Sequence, residues 1–537
     1  PLPAEGVAAV TVGLNVASEV AVDIESDLKG VSVDLPLPWG KSVEARAPLK
    51  VSWRDREWAA WEVFWFGRAS AITDTPEAGT ISAILDVTPR TRPLQWPLLA
   101  PEPGLRVTGF LPSLDPSDWQ DTLALFSMEA GPTGPTVTID ALKIGRLLWR
   151  GEELGDLSLN ANLEGETLYA GFELPWLRGK LQQFTSAPVS DSAAALRASL
   201  ERELRIEYLD LEGLPQVSGQ WAERAAPPDP QGALGAWMRQ LHVSVEGIHR
   251  ADTKLGDLDL TIDYVEGEGW QFREVTGNFL GINWLPKTRM IWQSSEEGES
   301  TMLSLAAELQ DVATSLALIG VAPLVETERG RLDAEWQWPG SPADFELTAM
   351  SGDMELEMET GSFVTANAEA TGALRLLSLL NLSGLFRRAN MNQLFDPGVT
   401  FDSAGGSFNF SQGDLRIPEF SIEGSGGYFT FSSDIDLVAE TLDGKLVVTL
   451  PLVENIPWVA ALAGGLPVAA GTYLISKVFE DQVNQLSSGI YAVSGDLDNP
   501  EVAFERVFDA TSRLPEVGDQ PTEDQSAIDA AASSSDR

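Results

Sequence analysis

The sequence predicts a mainly β protein: one long, twisted, open antiparallel sheet with an apolar face, and few helices. Three observations predict it. Runs of alternating apolar and polar residues recur along the 537-residue chain, and that period gives a strand one greasy face and one wet face. Turn signals such as Gly267-Glu268-Gly269 and Asp443-Gly444 separate the runs. Helical periodicity is scarce before residue 300.

The elements follow in order. Val10, Val12, Leu14 and Val16 already read as a strand, and Val31, Val33 and Leu35 alternate before the turn Pro36-Leu37-Pro38. Val51 with Trp53, and Trp61 with Val63 and Trp65, continue the pattern. Val137, Ile139, Leu142 and Ile144 follow, then Leu204, Ile206 and Tyr208, then Leu258, Leu260, Ile262 and Tyr264. Later strands are read at Leu332, Ala334, Trp336 and Trp338, at Phe345 and Leu347, at Met354, Leu356 and Met358, and at Phe429, Phe431, Ile435 and Leu437. Short helices are expected at 117–125, 192–202 and 232–239. The run Leu154-Gly155-Asp156-Leu157-Ser158-Leu159 returns as Leu255-Gly256-Asp257-Leu258-Asp259-Leu260, each after a strand pair, which indicates a duplicated strand module in one array.

Two later segments break the rhythm. Over 373–395, Leu374, Leu377, Leu380 and Leu385 fall near helical spacing, with Arg387-Arg388 toward the end where cations suit the helix dipole. Over 451–486 the chain holds Pro451, Pro457, Pro467 and Gly464-Gly465, and 456–476 carries no charge. A helix is expected from Pro467 through Val483, and an end cap or interfacial segment suits the stretch better than a spanning helix. The organisation read from this is a continuous β region over 1–371, an apolar helical segment over 372–396, more sheet over 397–450, a Gly/Pro-rich apolar segment and helix over 451–488, final strands over 489–509 and a disordered tail over 510–537.

Composition excludes several functions. With 80 acidic against 36 basic residues the formal net charge is −44, so no basic patch is available to release counterions from nucleic acid. The charge serves solubility, or else an acidic surface that recruits a basic partner. There is no cysteine, which removes disulfides, thiolate metal sites and cysteine nucleophiles. His242 and His249 read as surface positions on a strand and its turn. No metal motif, phosphate loop, nucleophile elbow or dinucleotide fingerprint occurs. Gly424-Ser425-Gly426-Gly427 lies between strands as a turn. The expectation is a non-enzymatic protein with no cofactor and no metal. Seventeen tryptophans, with Trp53, Trp58, Trp61 and Trp65 clustered early, are either buried anchors or contacts for acyl chains and headgroups.

The C-terminal third resembles a known family. Gly330-Arg331-Leu332-Asp333-Ala334-Glu335-Trp336 is followed by Pro339-Gly340-Ser341-Pro342-Ala343-Asp344-Phe345. Then come Gly372-Ala373-Leu374-Arg375-Leu376-Leu377-Ser378-Leu379-Leu380 and the blocks at 398–403, 406–408, 435–441 and 493–500. Their order and spacing resemble the YhdP family of AsmA-like proteins over about 180 residues. Upstream, Asp27-Leu28-Lys29-Gly30-Val31 with Leu35-Pro36 and Lys41, and Leu111-Pro112-Ser113-Leu114-Asp115 before Trp119, also look familial.

The resemblance implies a bridge-like lipid carrier of the repeating β-groove type. It implies phospholipid transport across the periplasm of a Gram-negative envelope in outer-membrane biogenesis. The implied partners are phospholipid, both membranes and envelope proteins, and the implied inner-membrane anchor lies upstream of this chain. The alternative is an envelope scaffold whose C-terminal helices bind a partner. Physical estimates agree with the geometry: some 400 residues at ~12–16 per strand give roughly 25–33 strands, too many for one closed, filled barrel. The expected groove lining is Phe345, Leu347, Met354, Leu356, Met358, Phe408, Phe410, Phe429, Phe431, Ile435 and Leu437. Leu374, Leu377, Leu380, Trp458, Leu462, Leu466 and Leu474 are the expected membrane or cap contacts.

Overall fold

A computed structural model gives the architecture. It describes residues 4–16, 20–55, 60–74, 82–96, 102–119, 136–186, 199–214, 229–295, 298–318, 325–327, 329–364, 398–424, 427–450, 487–497 and 500–509. The expected helices over 373–395 and 467–483, and the tail, lie outside these residues.

The fold is a long, mostly β sheet, as the alternation predicts. Twenty-seven strands share one mixed sheet, within the predicted range, and the described helices are two short ones, Ala233–Met238 and Val312–Leu318. A separate two-stranded sheet pairs Ala4–Gly6 with Val31–Val33. Among the described residues the large sheet is open at its ends: there Thr11–Asn15 pairs only with Ala21–Ser26, and Glu501–Asp509 only with Ser487–Asp496. A local ring forms where Gly269–Phe279 meets both Ile282–Trp284 and Arg289–Ser295, and these two both meet Gly298–Leu309.

The chain divides into two compact units, Pro1–Ala307 with Gln337–Phe345, and Glu308–Trp336 with Glu346–Arg537. In the first unit most neighbours are antiparallel hairpins. Three pairs are parallel: Ser82–Asp86 with Gly104–Leu111, Gly104–Leu111 with Val137–Trp149, and Ser199–Asp210 with Leu241–Arg250. The sheet is therefore mixed and not purely antiparallel. Parallel neighbours need a crossover, which no hairpin signal announces.

The repeated run marks a structural duplicate. Leu147 pairs with Gly155 and Ile248 with Gly256, both beside register shifts, and both glycines adopt positive φ, 113° and 148°. A β-carbon at Gly256 would lie 1.9 Å from the Asn278 carbonyl oxygen, so the bulge needs glycine. In each copy an aspartate closes the preceding turn. Asp115 accepts from the N–H groups of Ser117 (3.0 Å), Arg150 (3.2 Å) and Gly151 (2.8 Å), and Asp210 from those of Glu212 (3.0 Å) and Ala251 (3.1 Å).

Several expectations need correction. Phe345 and Leu347 are not on a strand. Ser341 and Asp344 form a capping box and Pro342 starts a 3-10 turn, Pro342–Asp344, with a second turn at 347–349. The Ser341 N–H and hydroxyl both donate to Asp344 Oδ2 at 2.7 Å. Residues 199–202 are strand, not helix; of the expected helix at 117–125 the described part is a 3-10 turn, Pro116–Trp119, and 120–125 lie outside the described residues. His249 is half-buried against Tyr208, ring centroids 4.8 Å apart, whereas His242 is exposed. The helix at 232–239 forms as Ala233–Met238.

Candidate functional site: an apolar line across the first unit

Residues paired across neighbouring strands share one face of the sheet, so register assembles sequence-distant residues into lines. In the first unit one such line is apolar from end to end. It starts Val12–Ile24–Val51–Val63–Ala71–Leu85–Val107. It continues Ile139–Ala161–Ala170–Leu181–Leu204–Val243–Leu260. At ~4.8 Å between strands, this path measures on the order of 60 Å along the sheet. Val12 is 66% exposed and Val243 is 8% exposed, and all the others are half-buried.

A second line runs beside it on the same face. Leu14, Val22, Trp53, Trp61, Thr73, Ala83 and Leu105 lead to Val137, Leu163 and Leu168. Trp53 and Trp61 stand directly opposite each other on this face, half-buried. Trp58 lies outside the described residues.

Charge sits on the other face. Asp23 accepts from Ser52 Oγ at 2.6 Å and Arg54 Nη2 at 3.0 Å. The Ser52 hydroxyl first, then Arg54, hold its carboxyl below the usual range against the opposing effect of burial. Lys50, raised chiefly by its hydrogen bond to Glu25, joins the cluster. Further along, Arg205 pairs with Glu246 at 2.8 Å and Arg273 with Asp263 at 2.6 Å. The sheet thus carries ion pairs on one side and hydrocarbon on the other.

The second unit repeats the two-faced pattern with its apolar side closed. Met358–Ala404–Ile422–Phe429–Val448 form one line and Leu356–Gly406–Phe420–Phe431–Leu446–Tyr491 the next. Phe429 and Phe431 are 2% and 1% exposed, and Leu446 and Val448 are 0%. Burial pushes the Tyr491 phenol up to about 12. The opposite face holds Glu355, Glu357 and Glu359.

Of the expected lining residues, this unit brings together Met358, Phe408, Phe410, Phe429, Phe431 and Ile435, all buried, with Met354 and Leu356 half-buried. Leu437 lies half-buried in the turn after its strand. Phe345 follows the 3-10 turn and Leu347 opens the next turn, both off the strands; Phe345 is 46% exposed and meets Trp338 edge-on at 5.2 Å. Leu374, Leu377, Leu380, Trp458, Leu462, Leu466 and Leu474 lie outside the described residues. Sequence reading placed the lining here and missed the first-unit line, although Ile139, Leu204 and Leu260 were visible as strand alternation. The line also passes through Ala71, Ala161 and Ala170, which carry little hydrophobic signal.

Among the described residues no group of three or more His, Asp or Glu side chains is placed to hold a metal ion. No helix among them is long and apolar enough to cross a membrane.

Fold and site together define a long, mostly β-sheet protein whose first unit carries a continuous, half-open apolar face. The chain belongs to the YhdP family, whose model, described as YhdP protein, matches residues 4–502. A curated relative, named Intermembrane phospholipid transporter YhdP, from Escherichia coli (strain K12), is 22% identical over 213 residues. That match covers 39% of this chain and only 17% of the relative's length. No solved structure matches the chain.

Proposed function

We propose that the chain is part of a lipid-transport groove, in which the half-open apolar line of the first unit holds acyl chains. On this reading it takes part, without catalysis, in phospholipid movement between the inner and outer membranes of a Gram-negative envelope. It works in the periplasm and needs no cofactor. The observation that carries the reading is the fourteen-residue line from Val12 to Leu260. A contiguous apolar surface of this length exposed to water marks an interaction site. Each buried CH₂ contributes ~0.8 kcal/mol, and neighbouring positions along a uniform line differ little, so a tail is held yet slides. The name of the curated relative supports phospholipid as the cargo.

The expected lining in the second unit, from Met354 to Ile435, belongs to the same reading as acyl-chain lining within that unit. Its closed, aromatic interior also favours a second reading for that unit alone, a structural support for the open unit. Mass spectrometry of gently purified protein tests the main reading. Phospholipid should co-purify with wild type and be lost from Leu181→Asp, with folding retained. A lipid-free wild-type spectrum counts against the groove.

A further inference from the structure

The second line of the first unit, whose earlier polar member is the Thr73 hydroxyl, is interrupted by a charge at one place. Leu168 faces Gln183, Gln183 faces Arg202, and Arg202 faces Leu241, after which Ile262 resumes the hydrocarbon. Arg202 and Gln183 therefore sit on the apolar face, two residues along their strands from Leu204 and Leu181 of the unbroken line. That is about 6.7 Å.

The pair is built. Gln183 Nε2 donates to the Glu166 carbonyl at 3.0 Å, which orients its amide, and Gln183 Oε1 accepts from Arg202 Nε at 3.1 Å. Arg202 Nη1 donates to the Arg239 carbonyl at 2.9 Å. These bonds hold the guanidinium and leave Nη2 without a partner among the described residues. Arg239, whose carbonyl takes the Nη1 bond, carries a second guanidinium next in line. Its Nη2 donates to the Pro230 carbonyl at 2.8 Å, and its Cζ lies 5.5 Å from the centre of the Tyr264 ring.

Charge makes the arrangement unusual. Acidic residues exceed basic ones by 80 to 36, and on the opposite face the neighbouring Arg178 and Arg205 find carboxylates, Glu207 and Glu246. Neither Arg202 nor Arg239 has a carboxylate within ion-pair distance among the described residues. Burial lowers the Arg202 pKa from its ordinary value, as expected of a cation desolvated with no anion beside it. A guanidinium fork fixed by its Nε and one Nη is suited to a phosphate oxyanion.

We infer that Arg202 and Arg239 form a seat for the phosphate of an amphiphile whose tails lie along the Leu181–Leu204–Val243–Leu260 stretch. The inference rests on the groove reading and deepens it: the apolar line accepts any tail, and the seat selects head groups. It also gives the line a preferred stopping point for cargo.

The test compares dioctanoyl phosphatidic acid with dioctanoylglycerol, which has the same tails and no phosphate, on the full chain. Binding is read by calorimetry for wild type, Arg202→Lys and the double variant Arg202→Gln/Arg239→Gln. The double variant should bind phosphatidic acid about ten-fold more weakly, as expected for lost charge-assisted hydrogen bonds. Its affinity for dioctanoylglycerol should be unchanged. Arg202→Lys, which keeps the charge without the fork, should fall between. Equal affinity of wild type for the two probes overturns the seat and leaves the groove standing, as does a double variant that retains phosphatidic acid. A parallel loss of both probes in the double variant assigns the arginines to the fold and overturns the seat. Wild type that binds neither probe overturns the groove and the seat with it. Inorganic phosphate displacing phosphatidic acid at equal concentration assigns the site to the free ion and overturns its lipid form.

Discussion

The two units carry the same pattern on their apolar faces and treat it in opposite ways. In the first unit the line from Val12 to Leu260 is made of Val, Ile, Leu and Ala, and nearly all of it is half-buried. In the second unit the corresponding lines contain Phe420, Phe429, Phe431 and Tyr491, each 2% exposed or less. Aromatic side chains bury ~150–250 Å² each and fill the space above a sheet. Small aliphatic ones coat the sheet without filling that space. Residue size along a line, more than hydrophobicity, separates a face that is finished by its own protein from one that still wants a cover.

The largest expected effect is a charge placed in each line. Phe431→Asp puts a carboxylate at a 1% exposed position and should destabilise the second unit by about 4 kcal/mol or more. Leu181→Asp enters a half-exposed position, where water reaches the carboxylate. It should cost about 1–2 kcal/mol and strip bound lipid. Thermal unfolding followed by lipid extraction separates the two. The comparison breaks if Leu181→Asp melts as early as Phe431→Asp.

Truncation sharpens the contrast at smaller scale. Leu446→Ala removes a side chain with 0% exposure and leaves a cavity, at a cost of ~2–5 kcal/mol. Leu204→Ala deletes atoms that already touch solvent and should cost about 1 kcal/mol. Urea denaturation of both variants gives the difference. Equal losses would mean that the first-unit line is packed in solution.

Much of the fold was legible because strand alternation is local. Leu204 with Ile206, and Leu258 with Leu260, declare a strand face within a few residues. The duplicated Leu-Gly-Asp-Leu run was legible too, since Gly155 and Gly256 mark the same bulge. Register was not legible. Nothing local tells Ile139 that its neighbours are Val107 on one side and Ala161 on the other, and the first of these pairings is parallel. Phe345 and Leu347 misled because two alternating apolar residues outweighed Ser341, Pro342 and Asp344, which carry the signal of a capped turn. Openness was the least legible property. Exposure depends on what packs above a face, so Phe431 and Leu204 look alike in the sequence and differ in the fold.

The smallest effect concerns the two copies of the repeated module, which differ in how firmly an aspartate holds the turn. Asp115 accepts from three backbone N–H groups and from the Ser117 hydroxyl at 2.5 Å, whereas Asp210 accepts from two N–H groups. Asp115→Ala should cost ~1–2 kcal/mol and Asp210→Ala less, in proportion to the bonds lost. The pH dependence supplies an internal control. Burial pushes the Asp115 carboxyl up, but the hydrogen bonds from Ser117, Gly151 and Arg150 outweigh it and bring the carboxyl below its ordinary 3.8. A carboxyl with a lowered folded value stabilises fully above 3.8, and that contribution fades as pH falls through the folded value. The gap in unfolding free energy between wild type and Asp115→Ala should therefore be constant from pH 7 to about 5 and narrow by pH 3. A gap that stays constant down to pH 3 would mean that the protonated carboxyl holds the turn as well as the ionised one, and the two modules would then differ only in bond count.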